Sequence, residues 1–289
     1  MEFDSPDAFL AHVLWTFRSY LDTLVLVGGF AVRLYELHPR AAPAAVRVLR
    51  TFDADLATPS GIIHLASESL ASLAEAAGFQ PDFRGDDIPP VMKFVLKGAL
   101  ARPVDQYTVE FLTPMTGAPV RRSGRAVGTS DIQAGVTAKR LRYLDLLLER
   151  PWRVSLAGLP GIPEETRTLE VRLPHPGFFI VQKILISEEL NRQDKRPKDM
   201  AYLYQVVSLF RRELIALAED VRDQMNANAA WRKWLERFRR LAGSLFGGPT
   251  APGVTEAYTV LRAEMAGSGL DVPSPQMIHA GVNLFLKNF

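Results

Sequence analysis

Asp53 and Asp55 stand two residues apart in Thr51–Leu56, a segment that reads as a β-strand. Side chains alternate across a strand, so residues i and i+2 leave the same face. Both carboxylates therefore project from one side, and two ionised acids so close repel unless water or a cation offsets the charge. A strand of this kind cannot turn that face into an apolar core. Upstream, the apolar run Leu24–Val27 gives way to Gly28-Gly29 and then to a helix-like stretch, Phe30–Leu37. Glycine lets backbone N–H groups come close to an anion, and a helix N-terminus favours negative charge. Paired oxygen ligands beside a glycine turn suit magnesium-dependent phosphate chemistry. Taken singly, each feature also has a plainer meaning: a strand edge with two acids facing water, and a tight strand-to-helix turn.

The chain has 289 residues, enough for one large domain or two ordinary ones with a buried core. A net charge of +2 says little about partners, so local basic clusters matter more. Cysteine is absent, which excludes disulfides, thiolate zinc sites and cysteine nucleophiles. The first twenty residues begin acidic (Glu2, Asp4, Asp7) and do not read as a signal peptide. Leu24–Val32 is too short to span a membrane. These features predict a soluble, cytoplasmic protein without a membrane partner.

Apolar spacing predicts a helix over 6–21 and an amphipathic helix over 62–77. Strands are expected at 79–83, 91–96, 107–112, 152–156 and 168–173, while 141–148 fits a strand or a helix. The Gly-, Pro- and Arg-rich stretch 114–129 predicts a long exposed loop. After Pro174 the pattern turns helical: 175–191, 197–223, a basic aromatic helix over 231–245, a helix near 255–266 and a helix-like tail. The expected fold is α+β. An N-terminal mixed β-sheet core flanked by helices occupies 1–173, and a C-terminal helical domain occupies 174–289.

Glu110 is a lone acid between apolar strand residues, Val109 and Phe111-Leu112. It either faces water on a half-exposed strand or meets a partner. If its strand pairs with that of Asp53, three carboxylates converge and suffice for metal binding and proton acceptance. Basic residues cluster at Arg121, Arg122 and Arg125, at Arg192, Lys195, Arg196 and Lys198, and around Trp231, Trp234 and Phe238. Such surfaces suit phosphates and stacked bases. For the last cluster an amphipathic helix, with its aromatic face packed inward, is the favoured interpretation.

Gly-Gly-Phe-Ala at 28–31, Arg-Thr-Phe-Asp-Ala-Asp at 50–55, the later strand acid Glu110, Lys183 in Phe-Ile-Val-Gln-Lys-Ile-Leu and Arg-Pro-Lys-Asp at 196–199 occur in a telling order. Together they resemble the DNA polymerase β-type nucleotidyltransferase superfamily, and within it the AbiE-type toxins of type IV toxin–antitoxin systems. The resemblance runs from about residue 24 to 210. It implies a nucleotidyltransferase core that uses Mg2+ (or Mn2+) and a nucleoside triphosphate. Gly28 and Gly29 would line the triphosphate, with Gly29 standing where many relatives have serine. Asp53, Asp55 and Glu110 would hold metal, Glu110 alternatively serving as base. Lys183 would neutralise nucleotide phosphate, and Asp199 would act near the transfer centre with Lys198 beside it. Arg50 and Thr51 would flank the metal strand. The acceptor would be RNA, such as a tRNA 3′ end, or a protein hydroxyl, and the partner an antitoxin protein. A small-molecule, antibiotic-type adenylyltransferase and a non-catalytic nucleotide-binding protein are the alternatives. Without the resemblance, Lys183 is equally a helix lysine reaching solvent, and Asp199 an acid favoured in a first helical turn.

Overall fold

The computed structural model describes residues 3–43, 49, 51–60, 68–85, 89–97, 107–115, 128–189, 193–266 and 270–289. The chain forms two compact units: Met1–Leu37 with Arg50–Pro174, and His38–Leu49 with His175–Phe289.

The first unit runs α1 (Pro6–Thr16), β1 (Val25–Val27), α2 (Gly28–Tyr35), β2 (Asp53–Ala57), α3 (Leu70–Ala76), β3 (Phe79–Arg84), β4 (Val91–Leu96) and β5 (Thr108–Pro114), then β6 (Thr129–Gln133), β7 (Val136–Leu141), α4 (Asp145–Leu148), β8 (Trp152–Ser155), α5 (Glu164–Arg167) and β9 (Glu170–Leu173). Seven strands make one mixed sheet in the order β1-β2-β5-β4-β3, with β7 also on β5 and β6 on β7; β8 and β9 form a separate pair. β2 and β5 are parallel, whereas β1–β2 and β4–β5 are antiparallel.

α1 begins where the Ser5 side chain accepts from the Ala8 amide, with Pro6 in the first turn. Its buried residues include Phe9, Leu10, Val13 and Leu14, and Phe17 follows just beyond its end. Phe17 meets Phe111 edge-on at 5.4 Å, and Phe111 meets Phe94 at 6.0 Å. This aromatic layer claims one face of β5. Register is thereby set: a slip of one residue would drive Glu110 into the aromatic core and expel Phe111.

The second unit contains α6 (Pro176–Leu185), α7 (Arg196–Leu209), α8 (Leu214–Ala227), α9 (Arg232–Phe246), α10 (Pro252–Met265) and α11 (Pro275–Leu286). The helical stretch expected over 197–223 is two helices, not one. No Gly or Pro stops α7. Its last carbonyls are instead met from outside the helix, by the Ala42 amide on Leu209 O at 2.7 Å and by Arg211, which donates to Ser208 O and Pro43 O. In the first unit, β6 and β7 form a hairpin through Ala134-Gly135, which the sequence reading passed over; Gly135 takes φ +76 there. Stretch 141–148 holds the end of β7, a turn at Tyr143 (φ 59) and the short α4. Residues 116–127, at the heart of the expected exposed loop, lie outside the described residues, and so do Arg121, Arg122 and Arg125. Among the described residues no helix is long and apolar enough to cross a membrane.

Candidate active site

The parallel pairing of β2 with β5 sets Asp55 beside Glu110 and Asp53 beside Thr108. Across the next ladder Glu110 faces Lys93 of β4, and on the other side Asp55 faces Val27, the residue before Gly28. Asp55, Glu110 and Lys93 thus form one row across three strands, with Asp53 two residues along on the same face. The opposite face holds Ala54, Leu56, Val109, Phe111 and Phe94, all buried. Three carboxylates on one face is the convergence expected if these strands paired. Glu110 is not the half-exposed outward acid of the plainer alternative, since only 7% of it is accessible.

Each carboxylate has a different setting. Asp53 is exposed and its Oδ1 accepts from the Thr108 hydroxyl at 2.5 Å. Glu110 is buried, and its Oε1 has no hydrogen-bond partner. An unsatisfied carboxylate oxygen in a buried position is costly unless something positive or a donor reaches it. Lys93 places its Nζ 3.7 Å from Asp53 Oδ1 and 3.9 Å from Glu110 Oε2, bridging the two.

Asp55 is packed against the glycine turn. Gly28 opens α2 with φ +69, a left-handed conformation that side-chain-bearing residues adopt at a cost. A Cβ on Gly28 would lie 2.4 Å from Asp55 Oδ2. Gly28 is therefore glycine for two reasons, backbone geometry and the room the carboxylate occupies. Gly29 is buried in the first helical turn. Arg50 lies outside the described residues; Thr51 is buried.

These donors suit a hard divalent cation: three carboxylates on one face, one with an open buried oxygen, beside a cradle that any side chain would fill. Closeness is the missing element. Among the described residues no three carboxylates or histidines are already gathered into a metal-holding group, and Lys93 stands between two of the candidates.

In the second unit, Lys183 on α6 and Asp199 on α7 are both buried at 7% accessibility and pair directly, Nζ to Oδ1 at 2.5 Å. Lys183 also lies 5.3 Å from the Phe179 ring centre. It does not snorkel to solvent. Asp199 sits in the first turn of α7 but faces inward to the ammonium, whereas its neighbour Lys198 is exposed and stacks over Tyr202. The basic helix α9 is amphipathic as favoured: Leu235 and Phe238 are buried, as is Trp231 just before the helix, while Trp234 is half-buried. Arg237 and Arg240 are engaged by Glu188, and Arg196 by Glu256.

Lys93 and Thr108 are the site residues that sequence reasoning missed. Lys93 carried a signal, being a lone charge within the apolar strand Val-Met-Lys-Phe-Val-Leu, the same pattern that drew attention to Glu110.

Two strand acids, a third acid on the neighbouring parallel strand and a glycine turn against them are what the nucleotidyltransferase resemblance implies. Comparison with protein families agrees: a nucleotidyltransferase family model matches residues 10–226, well over half the chain. The chain belongs to this nucleotidyltransferase family. No curated protein and no solved structure gives a match.

Proposed function

We propose that the protein is a divalent-metal-dependent nucleotidyltransferase that moves a nucleoside monophosphate from a nucleoside triphosphate to an acceptor hydroxyl, foremost an RNA 3′ end such as that of tRNA. The observation that carries this is the row Asp55–Glu110 with Asp53 beside it, on one face of paired parallel strands. Asp53 and Asp55 would hold Mg2+ or Mn2+, with Glu110 as third ligand or as base. When bound, the ion supplies charge compensation and polarisation of phosphate oxygens.

The chain's own groups do the rest. Gly28 and Gly29, at the start of α2, let backbone N–H groups approach the triphosphate. The acceptor hydroxyl loses its proton to a carboxylate, for which Glu110 is the candidate. An O–P bond forms at the α-phosphorus, the bond to the β-phosphate oxygen breaks, and pyrophosphate leaves with that electron pair. By resemblance, Lys183 is assigned to nucleotide phosphate, Arg50 and Lys198 to the nucleotide and Asp199 to the transfer centre; Lys183 and Asp199 pair with each other. The exposed cations Lys195, Lys198, Arg232 and Lys233 support a polyanionic acceptor. A cytoplasmic toxin role with an antitoxin protein partner rests on the AbiE-type resemblance.

The test is incubation of the protein with each labelled nucleoside triphosphate, Mg2+ and total RNA. Label on RNA with wild type and none with Asp53→Ala supports the proposal. Label on neither RNA nor protein, for all four nucleotides, overturns it.

A further inference from the structure

Lys93 has no part in the roles assigned above, yet it is an ion-pair partner of the buried acid Glu110. Its Nζ is 3.7 Å from Asp53 and 3.9 Å from Glu110, and its side chain is 21% accessible. Across the other ladder its neighbour is Asp82, but that acid is taken by Arg84 at 2.6 Å. The acids that Lys93 serves are therefore two of the three proposed metal ligands.

We infer that Lys93 is a built-in competitor for the divalent cation: its ammonium stands in for the metal between Asp53 and Glu110, and cation binding has to displace it. This rests on the metal-binding role proposed above. The contacts exceed hydrogen-bond length, so Lys93 contributes charge rather than a fixed geometry. Asp53 is oriented by Thr108, and Asp55 by its packing on Gly28. Removing Lys93 therefore leaves Asp53 and Asp55 in place and takes away a positive charge from a site meant for a dication. An ammonium about 4 Å from the ligands opposes cation entry even at the high effective dielectric of a protein surface. It also offsets repulsion among the acids while the site awaits its substrate. Metal held weakly in the free protein would then enter chiefly with the nucleotide, whose phosphates bring their own negative charge.

The experiment measures Mn2+ binding to the full chain without nucleotide, from the loss of the free-ion paramagnetic resonance signal. Wild type, Lys93→Met, Lys93→Gln, Lys93→Arg and Asp53→Asn are compared, each checked for folding by circular dichroism. Lys93→Met and Lys93→Gln should bind Mn2+ about tenfold more tightly than wild type, with Lys93→Arg close to wild type and Asp53→Asn weaker. Thermal melts give a second readout: Mn2+ should raise the midpoint more for Lys93→Met than for wild type. Equal or weaker binding by both neutral variants, with Asp53→Asn still impaired, overturns the competitor role and leaves the metal site standing. Absence of Mn2+ binding in wild type and in both neutral variants overturns the two together.

Discussion

Replacing Gly28 by alanine separates the two reasons for glycine at that position. An L-residue at φ +69 costs about 1–2 kcal/mol in the left-handed region, partly offset by about 0.4–1 kcal/mol from a less flexible unfolded chain. Gly161 has φ +72 and open space around its missing Cβ, so Gly161→Ala carries the same backbone cost and nothing else. Gly28→Ala adds a Cβ 2.4 Å from Asp55 Oδ2, against about 3.4 Å where ordinary contact begins, so the oxygen has to move by about 1 Å. That oxygen ends a short rotatable side chain, and the shift adds little to the loss of stability. For function it matters far more, because a misplacement of about 1 Å at a reacting centre can cost roughly a hundredfold in rate. Both variants should therefore lose about 1 kcal/mol in urea unfolding. Only Gly28→Ala should lose Mn2+ affinity and nucleotide transfer to RNA. If it transfers label as well as Gly161→Ala does, the packing of Asp55 on the glycine has no functional meaning and this reasoning is refuted.

Asp53→Asn should abolish transfer with little change in unfolding free energy, because an exposed acid contributes little to stability; rate and urea titration are measured on the same preparation. Lys183→Met leaves Asp199 charged and buried and should cost about 3–5 kcal/mol, whereas the double variant Lys183→Met with Asp199→Leu should recover most of that in urea titrations. A chelator should stop transfer reversibly, with activity restored by Mg2+ or Mn2+ and not by monovalent salt. Glu188 is held below the usual carboxylate range, first by its hydrogen bond from Arg240 and then by the charge of Arg237. A depressed folded-state acid stabilises above its unfolded value and loses that effect as pH falls through the folded one. Glu188→Gln should therefore be slightly less stable than wild type at pH 7, by no more than about 1 kcal/mol for so exposed a pair. The gap should begin to shrink below about pH 4, under the ordinary glutamate value, and close once pH has fallen below the lower folded-state value.

Much of the fold was legible because its signals are local. Alternation marked the β2, β4 and β5 strands, spacing of apolar residues marked α1 and α9, and the glycine pair marked the entry to α2. The misses have a common cause. α7 ends without a breaker because the Ala42 amide and the Arg211 guanidinium meet its last carbonyls, and a residue as distant in sequence as Ala42 leaves no local mark. The β6–β7 hairpin turns on Ala-Gly, a weak signal beside the Asn-Gly or Asp-Gly that hairpins favour. At the candidate site, Asp53 and Asp55 were evident as a pair, while Glu110 remained ambiguous between a solvent-facing acid and a partner.

By itself the sequence determined which faces exist: a strand with two acids on one side, a glycine turn ahead of it, and a helical second half. Those follow from side-chain periodicity and backbone sterics, which act over a few residues. Only the tertiary structure decided which faces meet. Parallel pairing brought Glu110 beside Asp55, the aromatic layer of Phe17, Phe94 and Phe111 locked that register, and antiparallel pairing delivered Lys93 to both acids. Register is a contest among burial energies across strands far apart in sequence, so it is settled only when the whole sheet is assembled.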